Sequence, residues 1–169
     1  MEILEENLTL APKKNRNNPR KDKKLKSFQL QNTLNQNIIN LGCFNFSYFR
    51  KIDNSQSFED WQNEEILADL MDKIKEFSKK SLQESKNEKR LKLYGDFPTP
   101  DISDYVLPQD LPENGLKWGS FRITGEKRLI GFVVSDLVEG LDCSNLKNTF
   151  FVVFLDKNHK FYKSKKKHT

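Results

Sequence analysis

The apolar positions of the chain change period along its length, and each change marks an element. Residues 41–52, LGCFNFSYFRKI, alternate apolar and polar at Phe44, Phe46 and Tyr48, the pattern of a half-buried strand. Ser57-x-x-Asp60 then reads as a capping box that opens a helix. Behind it Trp61, Leu67, Leu70, Met71, Ile74 and Phe77 form one apolar stripe ending near Leu82, with Glu64, Asp69, Lys73, Lys75 and Lys79 turned outward. The spacing predicts one long amphipathic helix whose stripe is core. Residues 86–94 are basic and either extend this helix or begin a second one. Residues 95–115 hold Pro98, Pro100, Pro108 and Pro112 and predict a long irregular connection, packed over the core by Phe97, Ile102, Tyr105 and Leu107.

The clearest pattern follows. Gly125-Glu126 sits between WGSFRIT and KRLIGFVV, and a glycine at the first central position suits a two-residue type II′ turn. That register pairs Thr124 with Lys127, Ile123 with Arg128, Arg122 with Leu129 and Phe121 with Ile130. One face then carries Phe121, Ile123, Ile130 and Phe132, and the other Trp118, Arg122, Leu129 and Val133. Arg122 and Arg128 fall on opposite faces unless a bulge intervenes. After a polar linker, residues 149–155, TFFVVFL, are apolar on both faces and predict a strand covered on both sides. The fold class expected is α+β: a strand, a long amphipathic helix, then an antiparallel sheet in a single domain over 41–163.

Charge changes the picture at both ends. Residues 11–26 carry eight basic residues against Asp22, residues 157–169 six Lys and no acid, and residues 1–10 three Glu; residues 27–156 are left at −5 of the total +5. Residues 1–40 read as a flexible basic arm too polar to offset its own ordering entropy, and 164–169 as a basic tail. Such ends hold phosphate backbones by releasing counterions, or serve only as solubilising tails. The candidate nucleic-acid contacts are Lys13, Lys14, Arg16, Arg20, Lys21, Lys23 and Lys24 in the arm, Arg122, Lys127 and Arg128 in the hairpin, and Lys157, Lys160, Lys163, Lys165, Lys166 and Lys167 at the end.

Cys43 and Cys143 form no CxxC pair, and His159 and His168 are the only histidines, so neither a metal site nor a cofactor is expected. Residues 1–10 do not read as a signal peptide, and no stretch approaches the roughly 20 apolar residues of a membrane span. A cytoplasmic protein with reduced thiols is expected. His159 and Tyr162 lie just beyond the last strand among Lys157, Lys160 and Lys163. RNA cleavage without metal needs a base for the 2′-hydroxyl, an acid for the leaving oxygen and cations for the charged phosphorane, and these are residue types that supply them. A His in an Asp-x-x-His turn also serves simply to order the turn, and a Tyr among lysines to cover the surface.

The element order, with FRITGEKRLIGFVVSD and NTFFVVFLDKNHKFYK, resembles the RelE/ParE/HigB toxin superfamily, and the Leu-Asp-x-x-His-x-x-Tyr ending is similar to small proteins of phages and mobile elements. The resemblance implies a small α+β fold of a first strand, a helical hairpin and an antiparallel sheet. It implies a metal-independent endoribonuclease with Arg122, Arg128, His159 and Tyr162 at its site and an antitoxin as partner. His159 and Tyr162 stand closer together than the family pattern has, and the arm and residues 135–148 are additional. Two other functions fit the sequence. One is a non-enzymatic accessory subunit, binding as a dimer to a nucleic-acid machine such as a CRISPR-Cas nuclease through its arm, its acidic loop and residues 135–148. The other is a phage-encoded inhibitor of a host nucleic-acid enzyme such as gyrase.

Overall fold

The computed structural model describes residues 19–134 and 146–163, without the side chains of 33–37. The chain divides into two compact units, Met1–Gln36 and Asn37–Thr169. The first helix, α1 (Pro19–Ile39), begins with a proline, whose fixed φ suits a first helical position. Residues 19–39, which the sequence places in a basic arm, are helical. Lys13, Lys14 and Arg16 of that arm, and Lys165, Lys166 and Lys167 of the tail, lie outside the described residues.

The larger unit is α+β. Its elements run β1 (Cys43–Asn45), α2 (Phe58–Asn63), α3 (Leu67–Phe77), α4 (Leu82–Asn87), β2 (Leu91–Gly95), β3 (Leu116–Thr124), β4 (Lys127–Val134) and β5 (Thr149–Asp156). The five strands are ordered β1-β5-β4-β3-β2, antiparallel throughout except for the parallel β1–β5 pair. Strand β1 is shorter than the alternation predicts. The Asn45 side chain accepts the Ser47 N–H at 2.8 Å, and the Phe49 N–H turns back to the Phe46 carbonyl. That turn ends the ladder while leaving Phe46 and Tyr48 packed against the sheet.

The single long helix is corrected to three short ones. The capping box at Ser57 is present, with Ser57 and Asp60 each accepting the other's backbone N–H. Glu65, at φ 59, breaks the helix between α2 and α3. A second capping box, Ser81 with Glu84, starts α4 afresh. Residues 91–95 are strand rather than helix, because Lys89 at φ 60 turns the chain out of α4.

The sheet is covered on both faces. On one, Trp61, Ile66, Leu70, Phe77 and Leu82 of the helical segment meet Leu91, Phe121, Ile123, Leu129, Phe150, Val152 and Leu155. On the other, Tyr105 and Leu111 of the irregular connection and Phe161 near the chain's end meet Trp118, Ile130, Phe132, Val153 and Phe154. All eight residues of β5 are buried, as its uninterrupted apolar run predicts. The irregular connection has no strand or helix and is tied down by ion pairs: Arg50 grips Asp110 with Nη1 and Nη2, and Lys163 reaches Asp104. Two of its acidic groups are thus engaged within the fold rather than held for a partner.

Three register shifts shape the sheet, one in each of the β2–β3, β3–β4 and β4–β5 pairs. Gly131 lies at the one between β4 and β5, where a Cβ would meet the Phe151 carbonyl and the Phe150 ring. Replacing Gly131 by Ala is expected to cost about 3 kcal/mol, the upper range for overpacking a core, because backbone rather than a flexible side chain must move. Urea unfolding of the variant checks this; an unchanged midpoint would show that the strands are not in such close contact.

Candidate functional site

The register shift between β3 and β4 builds the site. The turn pairs Thr124 with Lys127 as expected, and Gly125 supplies the positive φ, 51°. Between Arg122 and Thr124, however, β3 bulges by one residue at Ile123, so that Arg122 stands opposite Arg128, Phe121 opposite Leu129 and Ser120 opposite Ile130. A slip of one residue exchanges the faces of every β4 side chain. The sequence register, which pairs Arg122 with Leu129 and splits the arginines, is therefore corrected. Alternation from Trp118 sets Ser120 and Arg122 on the loop-covered face, and from Ile130 it sets Arg128 there too.

Strand β2 adds to the same face. Lys92 pairs with Ser120, and after the irregularity at Leu93/Gly95 the Tyr94 hydroxyl lies 2.9 Å from Ser120 Oγ. The Tyr94 and Tyr162 rings stack at 4.2 Å, 6° from parallel. Lys92 Nζ is 5.1 Å from one ring centre and 5.5 Å from the other. Distances so nearly equal put the ammonium beside the stack rather than on an outer face. Burial pushes the Tyr94 hydroxyl's pKa up, so it is protonated at neutral pH.

His159 is held over this face by a buried carboxylate. Asp156, at 1% exposure, ends β5 and accepts the N–H groups of Asn158 (3.2 Å) and Lys160 (3.0 Å) on Oδ1 and of Phe161 (2.9 Å) on Oδ2. The chain must curl around the carboxylate, and His159, at the middle of the curl, takes a left-handed φ of 54. Asp156 also stands opposite Arg128 in the β4–β5 ladder. Burial lowers the His159 pKa from its ordinary 6.5, and the Arg128 charge lowers it further. The imidazole is neutral at pH 7, the form that accepts a proton.

The arginines differ in freedom. Arg128 Nη1 donates to the carbonyls of Gly125 (2.8 Å) and Lys127 (2.9 Å), bracing the turn with one nitrogen of a group that has five N–H donors. Burial, then the Arg122 charge, lowers its pKa, which records two guanidinium groups sharing one neighbourhood. Among the described residues Arg122, Lys92 and Lys127 make no ion pair, and Arg122 is exposed.

Lys92, Tyr94, Arg122 and Arg128 thus share one face, Tyr162 stacks on it through Tyr94, and His159 lies within electrostatic reach of Arg128 and Lys92. The lysines near the end of the chain do not join them. Lys157 pairs with Glu64 of the helical segment, and Lys163 with Asp104. Lys160 is half-buried, and its carbonyl accepts the Asp104 N–H at 3.1 Å. The single cluster of Lys157, His159, Lys160, Tyr162 and Lys163 that the sequence suggests is divided by these contacts. Lys127 is half-buried at the turn, and Arg20, Lys21, Lys23 and Lys24 are exposed on α1. Sequence reasoning missed Lys92 and Tyr94 because residues 86–94 read as helix; the Leu-Lys-Leu-Tyr alternation is the signal that carried them. It read Asp156 only as the start of an Asp-x-x-His turn, whereas the carboxylate itself orders that turn through three backbone N–H groups.

No helix among the described residues is long and apolar enough to cross a membrane. Comparison with protein-family models, curated proteins and solved structures finds no match to the chain. With only two histidines in the chain, the site is open to NMR titration. The His159 ring is expected to titrate below 6.5. Arg128→Gln should move the midpoint up, though not fully back, because burial is the larger cause. The unfolded chain binds more protons in that window, so this group's stabilising effect is present above pH 6.5 and is lost as pH falls through the folded value. A midpoint that ignores Arg128 would contradict the shared site.

Proposed function

We propose that the chain is a nucleic-acid-directed protein that binds RNA on the loop-covered face and cleaves it without a metal, in the manner of RelE-like toxins of toxin–antitoxin or defence systems. The observation that carries this reading is the pairing of Arg122 with Arg128 on the face that also holds Lys92 and Tyr94, with Tyr162 stacked on Tyr94 and His159 within electrostatic reach of Arg128. Two guanidinium forks beside a neutral imidazole suit a phosphodiester, since Arg matches phosphate oxygens with two parallel donors. The chain order of strand, helical segment and antiparallel sheet is also the order the family resemblance implies.

The chemistry follows from these groups. His159 takes the proton of the 2′-hydroxyl, and the 2′-oxygen attacks the adjacent phosphorus. The bond to the 5′-oxygen breaks, and that oxygen takes a proton from the Tyr162 hydroxyl. The products are a 2′,3′-cyclic phosphate and a free 5′-hydroxyl. Arg122 and Arg128 carry the added negative charge of the phosphorane, which is where electrostatic catalysis contributes most. A stacked tyrosine pair offers an aromatic surface beside the site, as bases of single strands require.

A second reading is favoured by α1. Its Leu25, Phe28 and Leu30 are each more than half exposed among the basic residues Lys21, Lys23, Lys24 and Lys26. A helix with apolar and basic groups both open to solvent suits an accessory subunit that docks on a nucleic-acid machine such as a CRISPR-Cas nuclease. The two readings part on one experiment. Purified protein is incubated with labelled RNA in EDTA, alongside His159→Ala and Tyr162→Phe. The wild type is expected to cut and leave cyclic-phosphate ends, with losses of about 10²–10⁴-fold in the variants, the range for removing a general acid or base. A wild type that binds RNA but never cuts it, and does not slow growth when expressed, would remove the catalytic reading and leave the accessory one.

A further inference from the structure

At the ends of β2 and β3, with Arg122 in its wall, lies a groove of about 650 Å³ lined by Lys80, Glu88, Lys89, Arg90, Arg122 and Ile123. Four cations face it against one carboxylate. Glu88 is already met twice, by Lys80 at 2.5 Å and by Arg90 at 3.6 Å, and Arg90 also reaches Glu76 at 3.2 Å. Lys89 has no ion pair among the described residues and is exposed. Its backbone is left-handed, φ 60, a conformation that lysine adopts reluctantly and asparagine or glycine readily. Arg122 joins this groove to the site already described: its N–H donates to the Arg90 carbonyl at 3.1 Å, continuing the β2–β3 ladder past Leu91. Arg122 lies on the loop-covered face and Ile123 in the helix-covered core, so a chain that leaves the site by this groove passes from one face to the other around the ends of β2 and β3.

We infer that this groove holds the flank of a single-stranded RNA, with Lys89 taking a backbone phosphate next to the one gripped by Arg122. The inference rests on the RNA reading of the loop-covered face and names the form of its substrate. The volume suits a ligand of nucleotide size, within the ~300–1,000 Å³ of ordinary ligand sites, and the groove is open to solvent. The path turns around the strand ends from one face of the sheet to the other. A duplex, which is stiff over roughly 150 base pairs, does not follow such a turn, whereas a single strand does. The contact is to phosphate and not to a base, so it lengthens the footprint without adding sequence preference.

The test compares a trinucleotide with a decanucleotide, both single-stranded RNA with a fluorescent end label, by anisotropy over a salt series. Lys89→Asn keeps the left-handed turn and removes the charge. The variant is expected to bind the decanucleotide about 3- to 10-fold more weakly, with the salt slope reduced by about 0.7, the value for one lost phosphate contact on a single strand. Trinucleotide binding should not change. Equal loss on both lengths, or no loss on either, would overturn the groove as the flank's path while the site stands. A rigid duplex bound as tightly as the decanucleotide would overturn the single-strand assignment. Wild type that binds neither RNA would overturn this inference and the RNA reading together.

Discussion

The Asp156 carboxylate is buried at the end of the most deeply covered strand, and it accepts three backbone N–H groups of the turn that follows. A carboxylate in such a position is stable only when its lone pairs are met, so the turn has little freedom to form differently. From that constraint the second core is closed. Phe161 drops under the sheet to meet Trp118, Phe97 and Tyr105, and Tyr162 then lies on Tyr94. His159, the residue at the middle of the curl, is left half-covered above Arg128. One buried charge thus joins the packing of the loop-covered face to the chemistry displayed at its rim.

The bulge at Ile123 supplies the other half of the arrangement. Without it Arg122 would share a face with Leu129, and Arg128 would be turned to the opposite face, separating the two guanidinium groups. With it Ile123 remains in the helix-covered core and both arginines emerge at the sheet's open end. Bulges recur where a strand must re-aim a side chain, and here the re-aimed residue is a candidate phosphate ligand. The same shift explains why Gly119 meets Gly131 and Trp118 meets Phe132: small faces small on the helix side and aromatic faces aromatic on the other.

Much of this fold was legible in local pattern. The capping box at Ser57, the glycine turn at 125 and the unbroken apolar run of β5 each rest on interactions between residues close in sequence, and each is found in the structure. The failures share a cause. The long helix reads as one because its stripe is continuous, yet the left-handed Glu65 and the fresh capping box at Ser81 interrupt it. The bulge is a matter of which faces are buried, and a turn-based register cannot see it. The lone glycines at 119 and 131 were the available signal, since pairing them, like pairing Trp118 with Phe132, requires a one-residue shift before the turn. The site was legible in its residue types, Arg122, Arg128, His159 and Tyr162, and illegible in its assembly. Lys92 and Tyr94 reach it only through a strand that reads as helix.

The account stands on Arg122 and Arg128 sharing one face, and cross-linking measures that directly. In a background carrying Cys43→Ser and Cys143→Ser, the double variant Arg122→Cys, Arg128→Cys is oxidised mildly and compared with Arg122→Cys, Leu129→Cys. Residues directly opposite on an antiparallel pair have Cβ atoms ~4.5–5.5 Å apart, near enough for a disulfide with small adjustment, and residues on opposite faces are not. The bulged register predicts an intramolecular disulfide in the first variant and free thiols in the second. A disulfide between positions 122 and 129, with free thiols at 122 and 128, would restore the unbulged register and separate the two arginines on which the site depends.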